Sequence, residues 1–458
     1  MTNEPQWDLI VIGTGGAAMA AGIEARDRGR TVLLVEHDVL GGTCLNVGCV
    51  PSKRLLAASG HRHAPATNPF PAAPTSAAGV DLPALIAQKQ DLIDALREAK
   101  YQAVADVHDF PIRYGHARFA DENTLDVAGE QLTAPAFLVA TGSTPAIPDL
   151  PGIETVQFLT STTAMQQTEL PESLVVLGAG PVGLEQSQLW SQLGVQVTIV
   201  GRFAPHTEPE LAAVLKDVFT TDGITVVERR ATAVADTPGA VTVTTDGGQT
   251  ITAQRLLVAT GRRPNTDHLG LDAAGVKTDD RGFMAVDDHQ RTSNERIWAA
   301  GDVSGAPQYV YVAAQTGHVA AANALGEPQT VDYRGLPGVT FTTPQLASAG
   351  LTEQQALNQG YRCDCRTLSA DDLPRALANN DTRGALKIVI DADSRKVLGV
   401  HAALDGAGDL ILAATYAIKY GLTVEDLAQT WAPYLTMAEA LRLCARLFAS
   451  DLPTSCCA

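Results

Sequence analysis

Residues 8–36, DLIVIGTGGAAMAAGIEARDRGRTVLLVE, read as an apolar strand, a tight glycine turn, a helix and a second strand that closes on Glu36. That order marks a dinucleotide-binding βαβ unit. Gly13 and Gly15 allow the turn and let the backbone approach a pyrophosphate. Ala18 is small enough to pack helix on sheet, and Glu36 stands where an acid binds a ribose hydroxyl. A second unit, SLVVLGAGPVGLEQSQLWSQLGVQVTIVGR at 173–202, carries Gly178, Gly180 and Gly183 in full GxGxxG spacing between two strand-like runs. Two units in one chain imply two dinucleotides. The second closes on Gly201 and Arg202 rather than on an acid, which removes repulsion and supplies a cation for a 2'-phosphate, so NADPH is expected over NADH.

Just beyond the first unit lies GGTCLNVGCVPSK, residues 41–53, which sets Cys44 and Cys49 about one turn apart on a forming helix. A helix N-terminus lowers a thiol pKa, and the spacing suits a disulfide that opens and closes during turnover. A purely structural pair is the other reading, disfavoured because the cysteine usage does not resemble that of a secreted protein. The seven cysteines are odd in number and dispersed. Residues 64–79 (APATNPFPAAPTSAAG) read as an exposed connector, and 82–104 as an amphipathic helical run.

At 458 residues the chain is long enough for roughly three domains at about 150 residues each. Its net charge of -18 disfavours nucleic acid or an anionic membrane surface as a partner. No stretch approaches the roughly 18 apolar residues of a membrane span, and the apolar opening lacks a basic flank and a cleavage site. A cytoplasmic enzyme is expected.

With these motifs together, the chain resembles the FAD-dependent disulfide reductases (class I pyridine nucleotide-disulfide oxidoreductases). Further stretches carry the likeness: LVATGSTP at 138–145, LLVATGRRPN at 256–265 and IWAAGDVSG at 297–305. The resemblance implies a glutathione reductase-like α/β fold, with two Rossmann-like dinucleotide-binding domains and a C-terminal α+β dimerisation domain. The implied domains are 1–148 and 269–335 for FAD, 149–268 for NADPH, and 336–458 for dimerisation. By the same likeness Gly13, Gly15, Gly16, Ala18, Glu36, Gly42, Thr43, Lys53, Thr141, Gly142 and Asp302 serve FAD, and Gly178, Gly180, Gly183, Arg202 and Gly261 serve NADPH. It also pairs Glu185 with Lys53 and makes Cys49 the flavin-facing thiolate and Cys44 the exchanging thiol.

The C-terminal quarter departs from the reductases of organic disulfides, which use a histidine there for proton transfer. Here WAPYLTMAEAL at 431–441 places Tyr434 at that position when Glu439 is aligned, and a phenol with a pKa near 10 is a poor base at neutral pH. The tail LPTSCCA offers adjacent Cys456 and Cys457, which suit capture of a soft, thiophilic cation. Together with PRALANNDTRGALKIVI at 374–390, these features are similar to those of the mercuric reductases within the class. That likeness implies mercury(II), as a thiol complex, reduced to the element while held by Cys44, Cys49, Cys456 and Cys457. It also implies a homodimer whose active site is shared between subunits, with Tyr434 beside the metal. A second tyrosine is expected at the position held by Trp190. Two rival readings are a reductase of organic disulfides with the same fold and a flavin-bearing protein that sequesters or senses metal without turnover. Cys363 and Cys365, in YRCDCRTL, read as a further metal pair or as small apolar side chains on one strand face, and Cys444 reads as core.

Overall fold

The computed structural model describes residues 6–73 and 75–450. Strand β1 (Leu9–Ile12) is buried on both faces: Leu9 and Val11 pack against the helices of the unit, while Ile10 and Ile12 pack against Phe119, Leu125, Val127 and Leu132 of a three-stranded antiparallel sheet. It leads through the glycine turn into helix α1 (Gly16–Asp27) and then β2 (Val32–Glu36). In this five-stranded parallel sheet, β1 lies between β2 and strand 136–139, with 297–299 and 112–114 at the edges. The distant strand 297–299 thus returns to the first nucleotide unit.

The cysteine stretch forms a short helix α2 (Gly42–Asn46) and a long helix α3 (Cys49–His63). The two thiols were expected on one forming helix, and the structure corrects this. The chain breaks at Val47 and Gly48, where a side chain on Gly48 would place its Cβ 2.9 Å from the Thr43 carbonyl oxygen. Cys44 therefore sits on α2, and Cys49 opens α3. Helix α4 (Leu82–Arg97) follows, capped by the Asp81 side chain accepting from the Ala84 N–H, and the amphipathic run continues as a π-turn over Glu98–Gln102.

The second unit comprises β3 (Ser173–Leu177), α5 (Pro181–Gln192) and β4 (Gln196–Val200) in another five-stranded parallel sheet. Gly183 is indispensable here, because a Cβ on it would stand 1.9 Å from the Gly178 carbonyl oxygen. Helix α6 (Pro209–Thr221) follows β4. Strands 143–145 and 262–264 form a two-stranded antiparallel ribbon between the two nucleotide units.

The last layer is a five-stranded antiparallel sheet in the order 337–340, 345–350, 397–404, 385–391, 363–369, called β5 (Cys363–Ser369), β6 (Ala385–Asp391) and β7 (Val397–Leu404) where they recur. Helix α7 (Glu439–Arg446) covers one face of this sheet. Cys444 on α7 is fully buried, and its thiol donates to the Arg366 and Leu386 carbonyls. Burial pushes that thiol up to about 12. Beside this core, residues 412–435 expose Leu412, Tyr416, Tyr420, Trp431, Tyr434 and Leu435, with Trp431 95% exposed.

Candidate active site

The break at Gly48 turns the N-terminus of α3 toward both sulfurs, and the Cys49 backbone N–H lowers the pKa of each. The Cys44 thiol donates to Cys49 Sγ, which drives the two groups apart. Cys44 is pushed far above the ordinary thiol range, by that hydrogen bond first and by burial second. Cys49 is lowered to about 7, by the same bond first and by the Lys53 charge, against burial. The pair therefore gives up its first proton from Cys49 around neutral pH and keeps the second on Cys44.

Lys53 lies one turn along α3 from Cys49. Its Nζ donates to Glu185 Oε1 at 3.0 Å and Oε2 at 2.8 Å, and lies 4.5 Å from the centroid of the Phe341 ring. Glu185 is buried, and its Oε1 also accepts from the Phe341 N–H at 2.9 Å. One carboxylate on α5 thus ties the cysteine helix to the antiparallel layer. Gln188, one turn further along α5, donates to the Thr343 carbonyl at 2.9 Å and accepts from the Thr343 N–H at 2.7 Å. The α3–α5 contact is completed by Ser59 and Arg62, which donate to the Gln192 side chain and carbonyl.

Four residues near the thiols have no counterpart in the sequence reading. Tyr101, on the π-turn, is pushed up to about 12 by burial and then by the charges of Cys44 and Cys49. Tyr311 is raised by burial, by Tyr309 and by Cys49. Its ring stacks on Tyr309 at 5.2 Å, and its hydroxyl donates to the Pro337 carbonyl at 2.5 Å. Arg262 feels both Cys49 and Asp302, its guanidinium lying 3.8 Å from Asp302 Oδ2 and donating to Ser143 Oγ at 2.7 Å. Ser143 Oγ in turn donates to Asp302 at 2.6 Å. Arg262 and Ser143 lie inside two of the quoted motifs. The tyrosines carry no spacing signal, since folding alone brings them to the thiols.

The groups that would hold cofactors fit their tasks. The N-terminus of α1, at Gly15 and Gly16, has no side-chain cap, which leaves its N–H groups for phosphate oxygens. A Cβ on Gly42 would lie 2.7 Å from the Gly15 Cα, so only glycine keeps this cradle open beside Thr43. Glu36, at the end of β2, is buried and oriented by the Thr14 hydroxyl and by the His37 and Asp38 N–H groups, at 2.8 and 3.0 Å. Thr141 and Gly142 are cross-bonded to Asn265 on the inter-unit ribbon, and the Gly261 carbonyl accepts from Ala146. The N-terminus of α5 at Gly180 is likewise uncapped, and Arg202 stands exposed past β4, donating to the Pro205 carbonyl at 2.8 Å.

Trp190 does not stand at the thiols. It is buried in the core of the second unit and donates to Gln186 Oε1 at 3.2 Å, so the residue where a second tyrosine was expected serves packing. Tyr434 occupies an exposed turn just before α7, while Glu439 behind it is buried. Cys456 and Cys457 lie outside the described residues. Among the described residues no cluster of three or more His, Cys, Asp or Glu side chains is arranged to hold a metal ion.

The family model for pyridine nucleotide-disulphide oxidoreductases matches residues 7–317, and that for the dimerisation domain of the same enzymes matches residues 336–445. The chain belongs to the pyridine nucleotide-disulphide oxidoreductase family, and FAD and NADPH are its cofactors. Its relatives narrow the class. It is 49% identical to a mercuric reductase of Streptomyces lividans, covering 99% of this chain and 98% of that one. It is 42% identical to a mercuric reductase of Staphylococcus aureus, covering 100% and 85%. Among solved structures, the copper(II) complex of the HOCl-induced flavoprotein disulfide reductase RclA from Escherichia coli superposes with a TM-score of 0.87 at 26% identity, covering 97% of this chain and 100% of that one. LpdA from Mycobacterium tuberculosis does so with a TM-score of 0.86 at 27% identity, covering 96% and 100%.

Proposed function

We propose that this chain, as a homodimer, reduces mercury(II) to elemental mercury with electrons from NADPH. Bound at the two nucleotide units, NADPH and FAD supply the two electrons by hydride transfer from nicotinamide to flavin. Gly13, Gly15, Gly16, Ala18, Glu36, Gly42, Thr43, Thr141, Gly142 and Asp302 hold the flavin nucleotide, and Gly178, Gly180, Gly183, Arg202 and Gly261 hold NADPH.

In the dithiol form Cys49 presents a thiolate and Cys44 a thiol. The Lys53 ammonium stabilises the thiolate, and Glu185 fixes the lysine. An incoming mercury(II)–thiol complex exchanges onto Cys49 first, because only the thiolate attacks. The Cys44 proton then leaves with the departing thiol as the second sulfur–metal bond forms. The raised pKa values of Tyr101 and Tyr311 keep both phenols protonated, so neither adds a negative charge beside the sulfurs, and the Tyr311 proton is committed to the Pro337 carbonyl. Cys456 and Cys457 capture the ion first and pass it to Cys44 and Cys49 without releasing it. In this reading they and Tyr434 act on the thiol pair of the partner subunit, a role for which the exposed apolar face at residues 412–435 supplies an interface. No helix among the described residues is long and apolar enough to cross a membrane. A cytoplasmic location is part of the proposal, since reduced thiols are required throughout.

One observation carries the choice of mercury over an organic disulfide. The polarised pair and its Lys53–Glu185 support are intact, while Tyr434 takes the place of an imidazole base. The test follows NADPH oxidation together with volatile mercury release, in excess low-molecular-weight thiol. The parent is compared with a Cys456→Ala, Cys457→Ala variant. Mercury-dependent turnover that falls in the variant supports the reading. Unchanged turnover removes the tail from the mechanism, and NADPH oxidation only with an organic disulfide overturns the assignment. Mercury binding without NADPH consumption would favour a sequestering protein.

A further inference from the structure

The mechanism leaves Cys363 and Cys365 unused. Both are unpaired, partly exposed side chains on β5, the edge strand of the antiparallel layer. Two residues apart on a strand, they point to one face. Thr367 shares that face and lies opposite Lys387 on β6 in the pairing register, while the intervening Leu368 belongs to the core packed under α7. The thiol face is therefore the one that meets α6. Lys387 is buried there and binds Glu208 at 3.0 Å, Glu210 at 3.0 Å and Glu353 at 2.7 Å, so three carboxylates surround one ammonium. The Glu353 carboxylate is close enough to both thiols for its charge to act on them, and Asp391 lies near Cys363.

Strand geometry rejects a disulfide at this spacing and accepts a bridging ion. The Cα atoms of residues two apart stand about 6.7 Å apart, at the upper limit for a disulfide, and their parallel Cβ atoms lie well beyond the roughly 4 Å that one requires. A linear two-coordinate ion with sulfur–metal bonds of about 2.3 Å, the zinc–thiolate value, spans about 4.6 Å between sulfurs. Two cysteine side chains leaning toward each other from adjacent sites on one face reach that span. The surplus of carboxylates attracts a dication, and the sulfurs select a soft one.

We propose that Cys363 and Cys365 form a second, two-coordinate site for a thiophilic divalent cation, mercury(II). Two sulfur–mercury bonds form, two thiol protons leave to solvent, the counter-ions of the incoming salt depart, and the metal stays divalent. Nothing is oxidised. Naming mercury as the ion met in the cell rests on the reduction proposed above, whereas binding itself does not.

The test uses flavin-loaded, full-length Cys456→Ala, Cys457→Ala protein with the Cys44–Cys49 disulfide closed, verified by thiol counting. The protein is exposed to one to four equivalents of mercury(II) chloride and desalted, and mercury is measured per flavin by atomic emission. One equivalent is expected to remain, and none after further Cys363→Ser and Cys365→Ser changes. One equivalent should also protect both thiols together from alkylation, read by mass spectrometry. Equal mercury with and without the serine changes, no retained mercury, or protection of only one thiol would each overturn the site. Flavin content and NADPH-dependent turnover of the Cys363→Ser, Cys365→Ser variant in the otherwise native chain should match the parent. A loss of that turnover with mercury binding intact would instead count against the reduction scheme.

Discussion

Replacing Lys53 by methionine should raise the pKa of Cys49. The two residues are four apart on α3, which places them about 6 Å apart. At an effective dielectric constant near 20, removing a unit charge at that distance costs the thiolate about 2.8 kcal/mol, or about two pKa units. Glu185 already offsets part of the lysine charge, and Cys49 stands at an exposed position, so about half of this survives screening. Cys49 should then titrate about one unit above its present value of about 7. At pH 7 the thiolate fraction would fall from about one half to about one tenth. Glu185→Gln keeps an acceptor for the Phe341 N–H but removes the anion that raises Cys49, so its shift should run downward. The assay is the rate of Cys49 carbamidomethylation in reduced holoenzyme from pH 5 to 9.5, read by mass spectrometry. An unchanged midpoint in Lys53→Met, or shifts of the same sign in both variants, would refute the electrostatic account.

Gly183→Ala should weaken NADPH binding roughly ten- to hundredfold, the cost of about 1–3 kcal/mol for forcing a Cβ against the Gly178 carbonyl. Flavin content should stay at one per chain, and equal NADPH affinity would contradict the role of the second turn. Arg202→Leu should raise KM for NADPH about tenfold, the loss of one charge-assisted hydrogen bond, while leaving NADH kinetics unaltered. A parallel change for both nucleotides would count against the 2'-phosphate assignment. Lys387→Met leaves Glu208, 3% exposed, without its cation and should lower unfolding stability by about 3 kcal/mol in denaturant titrations. A change below 0.5 kcal/mol would show that the cluster contributes little. Cys444 should resist alkylation in the native protein and become modified only at the rate of global unfolding, because its thiol is buried and raised to about 12. Rapid native modification would show that the α7 face opens locally.

Local spacing carries information about local structure, and the two nucleotide units are of that kind. Gly13, Gly15 and Glu36, or Gly178 and Gly183, act within some thirty residues of one another, and each can be assigned from its place in a strand–turn–helix pattern. The break between α2 and α3 escapes such reading, because apolar and small residues continue across Val47 and Gly48, where the backbone leaves the helical region. Tyr101, Arg262 and Tyr311 escape it for another reason. Their effect on the thiols is electrostatic and depends on tertiary position, with Tyr101 delivered by a π-turn that follows sixteen helical residues. Trp190 shows the converse hazard: a position on a helix that belongs to the site can face away from it, and here the indole fills the core behind α5.

Helix α5 is the element on which the two halves of the site depend. Gly183 closes the nucleotide turn, Glu185 fixes Lys53 and receives the Phe341 N–H, and Gln188 clamps Thr343, all within six residues of one helix. Because the α-helix rises only 1.5 Å per residue, these anchors are held rigidly within about 8 Å along its axis. The turn that would receive a nicotinamide nucleotide and the lysine that sets the Cys49 thiolate are thus carried on one rigid body. A shift of α5 large enough to admit a Cβ at Gly183 must also lengthen the Lys53–Glu185 contact. Gly183→Ala should accordingly move the Cys49 alkylation midpoint as well as the NADPH affinity. If affinity falls while that midpoint stays fixed, the turn adjusts by itself and α5 is not the coupling element.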